Sequence, residues 1–133
     1  MATDSYATKR FDTQDFAAID TEVLESIPFE HPNSATDVRY ETTEFTSVCP
    51  WTGLPDFGRL VITYRPKMLL VELKSLKYYI TSFRNIGILQ EHIVNRILGD
   101  LVSLLKPDSM VIEAWFNERG GLSTFARSQY PYS

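Results

Sequence analysis

The chain has 133 residues, of which 44% are hydrophobic and 23% are charged, a composition typical of a single globular domain. A net charge of −4 argues against a large nucleic-acid-binding face, because such a face needs concentrated positive charge. No apolar run approaches the ~20 residues that span a bilayer, and the N-terminus lacks the apolar core of a secretory signal. The single cysteine cannot form an intrachain disulfide, so we expect a cytoplasmic protein without a membrane or direct nucleic-acid partner.

Polar residues without sustained periodicity occupy residues 1–34, which we predict to be an N-terminal arm that packs on the domain or on a neighbour. We predict one domain over 35–133. Its first strand covers 38–48, where β-branched and aromatic residues roughly alternate, and it leads to Cys49. The prolines and glycines over 50–58 predict a loop.

Two apolar segments follow, over 59–65 and 68–73, and the Pro-Lys pair between them predicts a hairpin. A short helix is predicted over 75–83 with Ser75 as its cap. The clearest helix covers 88–105, with one buried stripe formed by Leu89, Ile93, Ile97, Leu101 and Leu104.

The C-terminal part predicts a strong strand over 109–117, a glycine turn and a short edge strand ending near 128. Strands therefore flank the helices on both sides in the sequence. This order predicts an α+β domain in which an antiparallel sheet is covered on one face.

Cys49 ends a strand and begins a loop, a position where functional groups are often presented. A nucleophilic thiol needs a lowered pKa or a base, and Asp56 is the nearest acidic residue downstream. Because a nearby anion raises a thiol pKa, Asp56 suits a proton carrier better than an electrostatic activator. The alternatives are a small hydrophobic residue that closes a strand and an aspartate that caps a turn.

Other charged and glycine-rich segments give weaker signals. One cysteine with His31 and His92 has no ligand-like spacing, so no metal site is predicted. Lys74 and Lys77 near a helix start suit an anionic ligand, or else a solvated helix face. The segment ERGGL could form a phosphate-binding turn, but two adjacent glycines are more common in a plain hairpin turn, which we therefore favour.

Two segments of the chain resemble motifs of a known family. VELKSLKYYITSFRN (71–85) and FTSVCPWTGLPDFG (45–58) resemble the motifs of the 7-cyano-7-deazaguanine reductases of the QueF type. The QEHIVNRILGDL helix and the ERGG turn are similar too, so the resemblance runs from about Val38 to Arg127. It implies a tunnelling fold, in which a four-stranded antiparallel sheet carries two helices on one face and subunits join into a ring or barrel.

The resemblance also implies a reaction: two NADPH reduce the nitrile of 7-cyano-7-deazaguanine to a primary amine, a step in making the queuosine base of tRNA. Cys49 would form a thioimide with the nitrile and Asp56 would supply protons. Substrate-binding residues are implied at Val71, Glu72, Leu73, Gln90 and Glu91, and cofactor-binding residues at Lys74, Ser75, Lys77, Arg119 and Gly120. Homo-oligomers with active sites at subunit contacts are implied as well.

Gln90 departs from the family pattern, because many members have a histidine directly before the helix glutamate. Here His92 follows Glu91 instead. A glutamine can donate and accept hydrogen bonds but does not titrate, so a proton-transfer role of that histidine does not carry over.

Three other activities compete with the reductase. A peroxiredoxin-like thiol peroxidase shares the Thr46-x-x-Cys49-Pro50 spacing, but Thr42 stands where its proline is expected and the βαβ order is missing. A non-catalytic purine- or pterin-binding module of the same fold would bind a ligand without oxidising NADPH. A zinc-dependent GTP cyclohydrolase of that fold is disfavoured, because one cysteine and two histidines do not assemble its metal ligands.

Overall fold

The computed structural model describes residues 11–132 of the chain. The strands are β1 (Ser26–Pro28), β2 (Val38–Val48), β3 (Pro55–Arg65), β4 (Leu69–Val71), β5 (Ser109–Arg119) and β6 (Leu122–Tyr130). The helices are α1 (Leu73–Thr81) and α2 (Gln90–Leu105), and short 3-10 helices cover Phe16–Ala18 and Ser82–Asn85. Within the described range, no helix is long and apolar enough to span a bilayer.

Four strands form an antiparallel sheet in the order β2-β3-β5-β6, with β2 and β6 at its edges. Side chains alternate between the two faces of a strand, and one face of β3 carries Leu60, Ile62 and Tyr64, each 1% exposed. Their partners on β5 are equally buried. The period-two pattern of the sequence thus produces one continuous apolar face, and the predicted antiparallel sheet with two helices is confirmed.

The apolar stripe of α2 packs on that face. Ile93, Ile97 and Leu101 are fully buried, as predicted, whereas Leu89 and Leu104 near the helix ends are only partly buried. Each fully buried aliphatic side chain stabilises the fold by about 1.5–3 kcal/mol. The core between sheet and helices therefore supplies the rigid frame on which the loops at one end of the sheet are held.

The predicted hairpin between 59–65 and 68–73 is wrong. β4 is a strand of 3 residues and pairs with β1, with Ser26 opposite Val71. β3 is flanked on both sides by the long strands β2 and β5, so its edges are already taken. The segment after β3 therefore leaves the sheet, and it finds its partner in the N-terminal part of the chain.

The start of α1 also differs from the prediction, because Glu72 and not Ser75 is the N-cap. The Glu72 carboxylate accepts hydrogen bonds from the backbone N–H groups of Lys74 at 2.7 Å and Ser75 at 3.0 Å. Glutamate is longer than the preferred capping residues, so the pattern favoured serine. The Ser75 hydroxyl instead donates to the Glu72 carbonyl at 2.7 Å and accepts from the Glu25 N–H at 3.0 Å.

The predicted loop over 50–58 is shorter than expected, since β3 begins at Pro55. Asp56 consequently lies in a strand, directly opposite Ser47 of β2. β5 likewise continues to Arg119, beyond the predicted end at residue 117. These extensions matter because ladder hydrogen bonds hold the backbone of a strand more firmly than that of a loop.

Candidate functional site

A groove at one end of the sheet brings the single cysteine together with charged side chains. Its volume is about 480 Å³, a size that suits a small molecule. We call it the cysteine groove. Its walls come from the cysteine loop (49–54), the start of β3, the N-terminus of α2 and the β5–β6 turn. It is lined by Cys49, Pro50, Trp51, Asp56, Ile88, Leu89, Gln90, Glu91, Asn117, Arg119, Gly120, Leu122 and Thr124.

The cysteine loop is closed by its own backbone. The Cys49 N–H donates to the Leu54 carbonyl at 2.9 Å, and the Gly53 N–H donates to the Cys49 carbonyl at 2.8 Å. Gly53 has φ +72°, a left-handed conformation that other residues adopt at a cost. The Thr52 hydroxyl accepts from the Leu54 N–H at 3.2 Å. This small closed turn holds Cys49 half-buried at the groove surface.

The pKa of the Cys49 thiol is lowered from its ordinary value. Partial burial alone raises it, but hydrogen bonds to the sulfur from the Thr52 side chain and from the Thr52 and Trp51 backbone outweigh that effect. The positive charge of Arg119 lowers the pKa further. Since the thiolate is the nucleophilic form, these groups raise the reactivity of Cys49 near neutral pH.

Asp56 lies on the floor of the groove and is only 4% exposed. Its carboxylate accepts a hydrogen bond from the guanidinium of Arg119, with which it forms an ion pair. The Arg119 side chain is 45% exposed, so the pair connects the buried carboxylate to the groove mouth. A buried charge requires such a partner. Arg119, expected at a cofactor phosphate, is here engaged with Asp56.

Ser47 adds an unusual feature beside Asp56. The two residues are direct cross-strand partners, so their side chains leave the sheet on the same face. The Ser47 hydroxyl is completely buried, and no hydrogen-bond partner for it exists among the described residues. Buried hydroxyls are normally bonded. Ser47 therefore places a buried hydroxyl without a described partner on the strand position opposite Asp56.

Gln90 and Glu91 form the first turn of α2 and line the groove from the helix side. The helix dipole favours the negative charge of Glu91 at this end. Its side chain is exposed, which leaves the carboxylate accessible to N–H groups of a ligand. His92 is exposed and does not line the groove.

The other expected site residues lie on β4 and at the start of α1, away from the cysteine groove. Val71 is buried in its pairing with β1, and Ser75 is buried in its bonds to the N-terminal segment. Glu72 is the helix cap. Leu73 and Lys77 line a second groove of about 450 Å³ between α1 and the edge strand β2, which we call the α1 groove.

Few features of the described chain suit a bound cation, whereas several suit an anion. Residues 11–132 contain no cluster of three or more His, Cys, Asp or Glu arranged to hold a metal ion. Lys74 and Lys77 are both exposed on α1. Gly120, in the turn between β5 and β6, lets a ligand approach the backbone of the cysteine groove closely.

Thr52 is the residue that the sequence pattern did not single out, although its hydroxyl and N–H both act on the sulfur. A threonine three residues after a cysteine, in a turn bounded by proline and glycine, is a signal that could have identified it. Its geometry depends on the closed turn, which a pattern of residue types does not reveal.

Comparisons with known proteins agree with this architecture. A family model described as QueF-like protein matches residues 55–132. A protein of Caldicellulosiruptor bescii named NADPH-dependent 7-cyano-7-deazaguanine reductase is 60% identical, over 96% of this chain and 97% of the relative. A protein of Thermoanaerobacter pseudethanolicus with the same name is 59% identical, over 96% of each chain.

Among solved structures, the apo form of the archaeosine synthase QueF-Like superposes with a TM-score of 0.67 at 21% identity. The match covers 73% of this chain and 95% of that chain. At this level of identity the likeness shows the fold alone.

Proposed function

This chain belongs to the QueF-like family, and we propose that it reduces the nitrile of 7-cyano-7-deazaguanine through a covalent adduct on Cys49. It is an enzyme of the NADPH-dependent 7-cyano-7-deazaguanine reductase class, as its relatives are named, and its reaction serves queuosine biosynthesis. Its cytoplasmic location stays a prediction.

The proposal is carried by one observation: Cys49, whose thiol pKa is lowered, shares a groove with the buried carboxylate of Asp56. A nitrile carbon accepts hydride poorly. Addition of the Cys49 thiolate forms a C–S bond while a proton goes to the nitrogen, and the resulting thioimide accepts hydride more readily. Nothing leaves in this step, and we assign the proton transfer to Asp56, which lines the same groove as Cys49.

The electron count sets the cofactor demand. Reduction of a nitrile to a primary amine takes four electrons, and NADPH supplies two as a hydride, so each turnover consumes two NADPH. After the first reduction the C–S bond breaks and Cys49 leaves as a thiolate, which its lowered pKa favours. The imine formed in this way is then reduced to the amine.

Recognition of the base is proposed to require two copies of the chain. A deazaguanine presents an N–H and an amino group on one edge, which a carboxylate such as Glu91 accepts in bidentate fashion. Glu91 lines the cysteine groove, whereas Leu73 and Lys77, which follow Glu72, line the α1 groove. A site that uses Glu72 as well as Glu91 is therefore best built where α1 of one subunit meets the cysteine groove of another.

The cofactor would contact the cysteine groove and exposed residues of α1. Lys74 and Lys77 are exposed cations suited to phosphate groups, and the Gly120 backbone permits close approach. Arg119 would reach a phosphate only by sharing its charge with Asp56. The residues present thus fit an anionic cofactor held across a subunit contact.

Intact-protein mass spectrometry provides the main test. Incubation with the nitrile and without NADPH should add one substrate mass per subunit, and Cys49→Ala should show neither adduct nor turnover. Cys49→Ser is the matched control, since it keeps the volume of the side chain but not the thiolate. An active Cys49→Ser or Cys49→Ala enzyme would exclude the covalent mechanism.

Asp56 is tested by the same two measurements. Asp56→Asn keeps the shape of the side chain, but an amide does not take up or release a proton near neutral pH. NADPH oxidation should therefore fall by about 10²-fold or more, while some adduct still forms. Native turnover in Asp56→Asn would remove Asp56 from the proton transfer.

The alternative activities predict different readouts for the native chain. A thiol peroxidase would consume peroxide, and a non-catalytic binding module would bind the base without NADPH oxidation. NADPH oxidation that depends on the nitrile supports the reductase over both.

A further inference from the structure

Residues 11–14 run alongside the cysteine loop, and we call this segment the strap. At its first residue, the Phe11 N–H donates to the Thr52 carbonyl at 3.0 Å. The contact is close, since a Cβ on Gly53 would lie 2.5 Å from the Phe11 carbonyl oxygen. The strap therefore touches the tip of the cysteine loop through backbone atoms on both sides.

The other end of the strap is attached to the segment that precedes α2. The Gln14 N–H donates to the Asn85 carbonyl at 2.8 Å, and the Gly87 N–H donates to the Gln14 carbonyl at 2.9 Å. A Cβ on Gly87 would lie 3.1 Å from the Thr13 hydroxyl and 3.2 Å from the Pro50 Cα. Strap, cysteine loop and this segment consequently meet at a common point.

Apolar burial does not explain why the strap is held here. All four of its residues are exposed, and the Phe11 ring is 54% exposed. The segment is instead fixed by three backbone hydrogen bonds and by two glycines that leave room for it. Such an arrangement constrains the position of a backbone more than it adds to a hydrophobic core.

The constrained position is that of Thr52. Its hydroxyl and N–H lower the pKa of Cys49, while its carbonyl is held by the strap. The Thr52 carbonyl shares a planar peptide unit with the Gly53 N–H, which donates to the Cys49 carbonyl at 2.8 Å. The strap bond and this loop bond together fix the backbone on the C-terminal side of Thr52, which limits how far its side chain can move from the sulfur. We propose that the strap, residues 11–14, positions Thr52 so that its donors point at the Cys49 sulfur.

This inference rests on the proposed nucleophilic role of Cys49, but its test needs neither NADPH nor the nitrile. Phe11→Pro removes the N–H that bonds to Thr52. Cys49 is the single cysteine of the chain, so its alkylation by iodoacetamide can be followed by intact mass at a series of pH values. In Phe11→Pro, the curve of alkylation rate against pH should move to higher pH, and the alkylation rate at pH 7 should be roughly threefold lower than in the native chain.

Phe11→Ala is the matched control, because it removes the exposed ring and keeps both the N–H and the Cβ. Its alkylation profile should equal that of the native chain. Gln14→Pro removes the N–H that bonds to the Asn85 carbonyl at the other end of the strap. It should move the profile in the same direction as Phe11→Pro, which keeps the test decisive if one proline variant does not fold.

Thermal unfolding of each variant shows whether the strap acts on the Cys49 thiol or only stabilises the fold. A lower unfolding temperature together with a native alkylation profile, in a folded proline variant, would overturn the proposal. A shifted profile in Phe11→Ala as large as in Phe11→Pro would overturn it too. Failure of the native chain to oxidise NADPH would refute the proposed function and leave this result standing.

Discussion

At the scale of single residues, Arg119 links the two groups proposed to carry the chemistry. Its guanidinium pairs with the Asp56 carboxylate, and its charge lowers the pKa of Cys49. Thr52 acts on the same thiol through hydrogen bonds, which have the larger effect. The reactivity of Cys49 is therefore set by two neighbours of different kinds, and their contributions can be separated by substitution.

Thr52→Val removes the hydroxyl donor at nearly constant volume. We expect the pKa of Cys49 to rise, so the thiolate fraction at pH 7 falls and the alkylation profile moves to higher pH. Arg119→Gln should move it in the same direction by less, since its charge is the smaller cause. Thr52→Ser keeps the hydroxyl and should behave like the native chain. A larger shift in Arg119→Gln than in Thr52→Val would contradict this ranking.

Glu91→Gln tests recognition of the base. The substitution places a donor opposite the donors of the deazaguanine, and we expect the affinity for the nitrile to fall by about 1–3 kcal/mol. Calorimetric titration in a Cys49→Ala background avoids the covalent adduct. Glu30→Gln, on the exposed surface outside the groove, serves as the control. Equal affinity in both variants would remove Glu91 from this role.

At the scale of elements, the start of α1 joins structure to the proposed function. Glu72 satisfies two N–H groups of the first turn, and Ser75 bonds that turn to Glu25. Each carboxylate oxygen retains a second lone pair, so capping and ligand binding are compatible for the same side chain. Capping needs only a short carboxylate side chain, whereas binding a ligand needs the full length of Glu72.

Substitutions at Glu72 can separate the two roles. Glu72→Ala should lower the free energy of unfolding by about 1 kcal/mol, the usual effect of losing a cap. Glu72→Asp keeps a good capping residue but withdraws the carboxylate by one methylene, so stability should be nearly native while the affinity for the nitrile falls. Denaturant unfolding and calorimetric titration measure the two effects. Native affinity in Glu72→Asp would indicate that Glu72 is a cap alone.

At the scale of the whole molecule, the sheet has two edge strands, β2 and β6, and the cysteine groove and the α1 groove lie at different places. Exposed edges invite pairing with another chain, and joining edges between copies would cover them. The same assembly would bring the α1 groove of one subunit toward another subunit. A homo-oligomer with shared active sites is therefore our proposal for the working form.

A mixing experiment tests this assembly. Cys49→Ala and Glu72→Ala chains, each inactive or impaired alone, are unfolded together and refolded as mixed oligomers. If each site takes Cys49 and Glu72 from different subunits, about a quarter of the sites should be intact and activity should return. Mixed Cys49→Ala and Asp56→Asn chains should regain less, because both residues line one groove. A monomer by light scattering with full activity would refute the assembly.

Local patterns of the sequence determined the main strands, the long helix and the candidate catalytic residues. The alternation over β2 and β5 and the stripe of Ile93, Ile97 and Leu101 each depend on burying one face of one element, which residues close in sequence decide. Cys49 stood out for a similar reason, because the prolines and glycine after it identify a turn, and Asp56 is the nearest acidic residue downstream. Those features needed no knowledge of distant parts of the chain.

Long-range partners were decided by the tertiary structure alone. β4 pairs with β1 because β2 and β5 already occupy both edges of β3, a competition that local periodicity does not record. Arg119 reaches Asp56 across 63 positions because their strands β5 and β3 are neighbours in the sheet. Phe11 meets Thr52 because the segment before α2 holds the strap in place. In each case the partner depends on which surfaces remain open after the rest of the chain has packed.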